Sequence, residues 1–191
     1  MKRIIVGISG ASAVNLGFRF LEILPLEIEK YCVISKGAKE VLKKENQAIP
    51  QEVPNTIYLE DLDLGACIAS GSFICESMVV IPCSQNTLAK IAYGVSDTLI
   101  TRAASVMIKE RRNLLLAPRE MPFSTIALEN MAKLSQIGII IAPPIFGYYA
   151  GSSLKEIENL VLGKWCDILG IPYAYKRWGE GGLEESLKEQ R

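Results

Sequence analysis

The 191-residue chain contains no histidine. That absence excludes Ser-His and Cys-His nucleophile–base pairs within the chain, and every histidine-ligated metal site. A general acid or base must then be Glu, Asp, Lys, Tyr or Cys. Net charge is absent too, because 21 Lys plus Arg balance 21 Asp plus Glu. Such a chain carries no gross electrostatic footprint for nucleic acid or an anionic membrane, and lacks the self-repulsion that opposes self-association. There is no C-x-x-C pair, and Cys32, Cys67, Cys75, Cys83 and Cys166 make an odd count. Neither a disulfide framework nor a zinc site is expected; small buried hydrophobes in a reducing, cytoplasmic setting are. No apolar run is long enough to span a bilayer. Ser9-Gly10 cuts the run at 4–8, and the run around 137–146 contains Gly and Pro.

What is present is an ordinary globular composition, with 49% apolar and 22% charged residues. The length favours one domain over 1–191, closed by a polar, Gly-rich tail over 172–191. Short β-branched runs alternate with stretches of helical period. Strands are expected at 3–8, 31–34, 77–81, 113–117 and 138–142. Helices are expected at 12–24, 37–44, 87–93, 98–111 and 124–137, with a last one starting at Ser153. Ser153 and Glu156 have capping-box spacing there. Residues 46–57, with Pro50 and Pro54, read as a loop. Strands apolar throughout, each followed by a helix, predict a doubly wound α/β fold with a mainly parallel sheet covered on both faces. Ligands then bind beyond the carboxyl ends of the strands.

Four unusual clusters fall at those ends. Gly7-Ile8-Ser9-Gly10-Ala11-Ser12 follows the first strand and suits an anion at a helix start, or simply a tight turn. It is not a G-x-G-x-x-G motif, and Ser35-Lys36 stands where a ribose-binding acid is expected, which weakens a dinucleotide reading. Pro82-Cys83-Ser84-Gln85-Asn86-Thr87 offers hydroxyls and amides to a phosphate or a ring edge, or to its own helix as a cap. Pro118-Arg119-Glu120-Met121-Pro122, preceded by Arg102 and by Lys109-Glu110-Arg111-Arg112, presents a cation beside a carboxylate. That pairing suits an anionic leaving group with proton transfer, or a structural ion pair. Pro143-Pro144-Ile145-Phe146-Gly147-Tyr148-Tyr149 could wall an apolar pocket or pack as a surface loop. The late run Gly179-Glu180-Gly181-Gly182 has no strand before it.

In order and in register, these clusters resemble the flavin prenyltransferases of the UbiX family. Further matching segments are Ser96-Asp97-x-Leu99-Ile100-x-Arg102-Ala103-Ala104, Glu129-Asn130-Met131 and Leu169-Gly170-Ile171-Pro172. The resemblance implies a flavodoxin-like three-layer fold that binds reduced FMN as a substrate. A dimethylallyl group from dimethylallyl phosphate is joined, without metal, to the flavin N5 and C6. It further implies delivery of the prenylated FMN to a UbiD-type decarboxylase, and a homododecamer with active sites shared between subunits. Carried over by position, Gly10, Ala11, Ser12, Ser35, Ser84, Thr87 and Arg102 match FMN-binding residues. Lys109, Arg119, Tyr149 and Lys164 match positions around the allylic phosphate, and Trp178 matches an aromatic near the pocket. Glu120 matches the residue that handles protons as phosphate leaves, and Ser12 with Glu45 a relay near N5.

The chain departs from the family at Lys164, where Arg is usual, and at Ala127, where His is frequent. Gly151-Ser152 replaces a more proline-rich stretch. Two other readings stay in view. One is a non-catalytic FMN-binding electron carrier, which would not need Lys109, Arg119 and Glu120 around a second anion. The other is a flavin-dependent cysteine decarboxylase, disfavoured because that family relies on an active-site His and a Pro-Ala-Ser-Ala-Asn-Thr loop.

Overall fold

The computed structural model describes residues 2–48 and 53–179, so residues 180–182 of the late glycine run lie outside the described residues. The chain divides into two compact units, 1–144 and 145–191.

Among the described residues, the first unit carries six parallel strands: β1 (Arg3–Ile8), β2 (Glu29–Ile34), β3 (Thr56–Glu60), β4 (Ser77–Cys83), β5 (Asn113–Pro118) and β6 (Ile140–Ile141). Their order is β3-β2-β1-β4-β5-β6. Five helices connect them: α1 (Val14–Ile23), α2 (Lys36–Lys44), α3 (Gln85–Ala92), α4 (Leu99–Lys109) and α5 (Thr125–Gln136). The chain winds outward from β1 in one direction, returns to β4 and winds outward in the other. The two directions part between β1 and β4, the switch point where such sheets open a ligand crevice.

Both sheet faces are buried because the central strands are apolar over most of their length, as at Ile4, Ile5, Val6 and Ile8 in β1 and from 78 to 83 in β4. Ile5, Val33, Met78, Val80, Leu114 and Leu116 share one core with Leu88 of α3, Ile100, Ala103 and Met107 of α4, and Leu134 of α5. On the opposite face α1 lies directly on β4. A Cβ at Gly17 would stand 2.3 Å from the Ile81 carbonyl oxygen, so only glycine permits that approach.

The doubly wound fold expected from the alternation is the fold found. Two edges differ from the expectation. Thr56–Glu60, partly inside the stretch read as a loop, is the edge strand β3, with Ile57 and Tyr58 exposed. The strand expected at 138–142 pairs only through Ile140–Ile141, although the Ala142 amide still donates to the Leu116 carbonyl at 2.8 Å. Pro143 and Pro144 have no N–H to continue that ladder.

The second unit contains α6 (Leu154–Leu169), opened by the expected Ser153–Glu156 capping box and closed by Gly170 at φ 65°. Glycine reaches that left-handed conformation without steric cost.

Candidate functional site

At the switch point, the carboxyl ends of β1, β2, β3, β4 and β5 surround a cavity of about 540 Å³. Its floor depends on Ser9. The buried Ser9 hydroxyl donates to the Pro82 carbonyl at 3.0 Å and accepts from the Ser84 amide at 2.7 Å, fastening the turn after β1 to the turn after β4. The neighbouring Gly10 lies backbone to backbone against Gly37, where a Cβ would stand 2.7 Å from the Gly37 carbonyl carbon. Ala13 then turns through φ 72°, so α1 starts at Val14 and Ser12 stays outside the helix. Freed in this way, Ser12 donates to Glu45 Oε1 at 3.0 Å.

Three helix N-termini line the cavity, and their remaining hydrogen-bonding capacity differs. Ser35 caps α2 by accepting from the Ala38 amide at 3.1 Å, and Ser84 caps α3 by accepting from Thr87 at 3.2 Å. Each cap satisfies one of the amides that every helix start leaves open. Among the described residues, the backbone N–H groups of Lys36 and Gly37, and of Gln85 and Asn86, have no partner within the chain. The start of α4 is closed by contrast. The Leu99 amide donates to the Asp61 carbonyl at 2.7 Å, Ile100 donates to Asp61 Oδ1 at 3.0 Å, and Thr98 and Thr101 form a capping box. An anion is therefore directed to α2 and α3, where open amides and the helix dipoles both favour it, and away from the carboxylate on α4.

Arg119 and Glu120 line the same cavity from the end of β5. Both are exposed, and Glu120 Oε1 accepts from the Met121 amide at 3.0 Å. Cys83, below the cavity, is fully buried, and burial pushes its thiol up to about 12. Cys32 and Cys166 rise to about 12 and Cys75 to about 11 for the same reason, so none of these four supplies a thiolate near neutral pH. Cys67 is exposed, against the expectation of burial.

Of the residues singled out in the sequence, Gly10, Ala11, Ser12, Ser35, Ser84, Thr87, Arg119 and Glu120 line this cavity, and Glu45 is bonded to Ser12. Arg102 and Lys109 do not line it. Arg102 Nε donates to the Ala69 carbonyl at 3.0 Å, and Lys109 pairs with Glu110 at the far end of α4. Helix geometry puts Lys109 about 16 Å along the axis from Thr98. Tyr149, Lys164 and Trp178 belong to the second unit. There the Tyr149 and Trp178 rings meet edge to face at 5.1 Å, and Lys164 is exposed on α6. Lining residues outside the set carried over from the family include Lys36, Asp61, Gln85, Asn86, Thr98 and Thr101. The two serine-led helix starts mark Lys36, Gln85 and Asn86, whereas Asp61 follows β3, of which Thr56 and Ile57 fall in the stretch read as a loop and the rest is assigned no element.

A family model described as Flavoprotein matches residues 1–164. The flavin prenyltransferase UbiX of Campylobacter jejuni is 47% identical over 183 residues, 92% of this chain and 98% of that protein. The chain belongs to the UbiX family of flavin prenyltransferases. Two solved structures agree. A dodecameric FMN-dependent UbiX-like decarboxylase from Escherichia coli O157:H7 is 38% identical, with TM-score 0.86 over 92% of this chain and 97% of its own. AnUbiX (PadA1), solved with FMN and dimethylallyl pyrophosphate, is 35% identical, with TM-score 0.86 over 93% of this chain and 98% of its own.

The cavity of this UbiX-family chain fits FMN on its own features. Its volume lies in the range of small-molecule sites, roughly 300–1,000 Å³. Two helix starts with open amides, beside Lys36, suit a phosphate dianion. Gln85, on the wall, has an amide nitrogen that is buried with no partner among the described residues, which leaves a donor for a ligand acceptor. The Gly10–Gly37 contact sets the turn after β1 directly against the start of α2, an approach that a Cβ at Gly10 would block.

Proposed function

We propose that the chain is a flavin prenyltransferase, joining the dimethylallyl group of dimethylallyl phosphate to reduced FMN. The observation that carries this reading is one cavity combining FMN-compatible helix starts with a cation–carboxylate pair, Arg119 and Glu120, at the end of β5. A flavin carrier has use for the first feature and none for the second. Reduced FMN supplies the nucleophilic N5 and C6 positions implied by the family.

The chain's own residues have separable tasks. The open amides of α2 and α3, with Ser35, Ser84, Thr87 and Lys36, hold the FMN phosphate and ribityl chain. Gly10 and Ala11 shape the entrance. The Arg119 guanidinium neutralises charge that grows on the allylic phosphate as its carbon–oxygen bond breaks, and a fixed cation does so without reorganisation cost. The Glu120 carboxylate handles protons as the phosphate leaves and the ring closes: N5 and C6 each give up one proton, of which one goes to the departing phosphate and one to the allylic double bond. The Ser12–Glu45 pair, bonded at 3.0 Å, forms a relay that moves a proton at N5.

Arg102 and Lys109 do not line this chain's cavity, which supports their serving the site of a neighbouring copy in a homododecamer. Tyr149, Lys164 and Trp178, all in the second unit, are assigned contacts to the allyl donor by their match to the family's positions. Lys164 keeps the charge of the usual Arg and loses its bidentate fork. Both compact units act as one functional domain, a reading supported by a family match that runs across their boundary to residue 164. The product passes to a UbiD-type decarboxylase in the cytoplasm. No helix among the described residues is long and apolar enough to cross a membrane.

Anaerobic incubation with reduced FMN and dimethylallyl phosphate, followed by mass spectrometry of the flavin, tests the reading. A flavin heavier by one five-carbon unit is expected. An unmodified flavin with both the monophosphate and the diphosphate donor overturns the assignment and leaves the carrier.

A further inference from the structure

The segment after α6 is held by α6 itself. Residues 171–177 carry no regular structure, yet alternate side chains return to the helix. The Tyr173 hydroxyl donates to Asn159 Oδ1 at 3.4 Å. Tyr175 lies flat on Gly163, where a Cβ would come within 2.1 Å of the ring, so only glycine leaves room for it. The Tyr175 hydroxyl also donates to Asp167. Arg177 closes the set with a two-pronged grip on the Asp167 carboxylate, at 2.6 and 2.8 Å. It donates to the Tyr175 oxygen at 3.0 Å as well, with its guanidinium 4.4 Å above the Tyr175 ring. This clasp has the planar, bidentate geometry that distinguishes a specific ion pair from an incidental surface one.

Trp178 comes immediately after the clasp. Trp178 is 78% exposed, and its ring meets that of Tyr149 edge to face. A side chain so lightly packed does not fix its own place. The backbone at Arg177 fixes it, and Asp167 fixes Arg177. We propose that Asp167 is a positioning residue for the allyl-donor subsite, acting through Arg177 to hold Trp178 against Tyr149. This rests on the assignment of Tyr149 and Trp178 to that subsite. None of the family motifs identified in the sequence includes Asp167 in a functional role. The clasp holds the Asp167 carboxyl down at about 2, chiefly through the Arg177 hydrogen bonds and next through Tyr175, so it is formed throughout the neutral range.

The test uses the full chain with Asp167→Asn and, in case that variant folds poorly, Arg177→Lys, which keeps the charge and loses the fork. Two readouts are taken on each. The first is the KM for dimethylallyl phosphate alongside kcat and the FMN dissociation constant. The second is time-resolved fluorescence anisotropy of Trp178, with Trp178→Phe subtracted to remove the buried Trp165. We expect KM to rise about tenfold, as for misplacement of a substrate-facing group, with FMN affinity within about twofold of wild type. Trp178 should gain fast local motion. An unchanged KM in an active enzyme overturns the proposal, as does an unchanged anisotropy decay. If the wild-type chain transfers no prenyl group, the functional assignment fails by itself. The anisotropy then still decides whether Asp167 holds Trp178.

Discussion

Glu120 and Ser12 show how little of a side chain's role follows from its residue type. Both are small polar groups on turns after strands. Ser12 is withheld from α1 by the left-handed Ala13 and meets Glu45 instead of capping the helix. Ser35 and Ser84, two serines in comparable positions, do cap. Glu120 accepts from the Met121 amide through Oε1, an interaction that its amide analogue keeps. The substitution Glu120→Gln therefore removes the proton-accepting carboxylate and leaves the loop intact. FMN binding should stay within about twofold of wild type, while single-turnover prenylation should slow by about 10²-fold, the lower range for loss of a general acid–base group. FMN titration and quenched-flow mass analysis give the two numbers. Wild-type turnover would remove Glu120 from proton handling.

At the scale of elements, the cavity is a matter of which helix starts are open and which are closed. Asp61 closes α4 with both its carbonyl and its carboxylate. Replacing it as Asp61→Ala strands the Ile100 amide, and loss of such a cap costs about 1 kcal/mol, with values up to about 2. The melting temperature should fall by roughly 2–4 °C for each kcal/mol lost in a chain of this size, as seen by calorimetry. FMN affinity should rise if anything, since a carboxylate leaves a cavity that takes an anion. A weakened FMN complex at unchanged stability would mean that Asp61 contacts the ligand directly.

The same residue marks the limit of what the sequence made readable. Strands buried on both faces declare themselves as unbroken apolar runs, and the helix starts announce their serines, so the central sheet and most of the cavity wall could be foreseen. β3 could not, because a half-exposed edge strand after two prolines has neither an apolar run nor strict alternation. With β3 unseen, the turn that carries Asp61 had no place in the fold. Lys109, which does not line this chain's cavity, is a different case. Spacing along a helix gives distance along its axis, and the family register says only that the residue matters, not in which copy of the chain.

That ambiguity becomes a property of the whole molecule. Lys109 sits about 12 Å along α4 from Thr101, the nearest cavity-lining residue of that helix, farther than its side chain can return. If it binds the allylic phosphate, it binds the phosphate held by another copy. A chain with 21 positive and 21 negative side chains presents no long-range repulsion to such an assembly. The claim predicts complementation. Lys109→Ala and Glu120→Gln should each be nearly inactive as pure assemblies. Co-expressed at equal levels with different tags, and purified through both, they should regain activity. A site works when its cavity belongs to the Lys109→Ala chain, which keeps Glu120, and its neighbour is the Glu120→Gln chain, which keeps Lys109. Random mixing satisfies both conditions in about one quarter of sites, so about one quarter of wild-type activity is expected. Were Lys109 to act within its own chain, every site in the mixture would lack one group or the other. Activity no greater than the sum of the pure variants would then place Lys109 back in its own subunit.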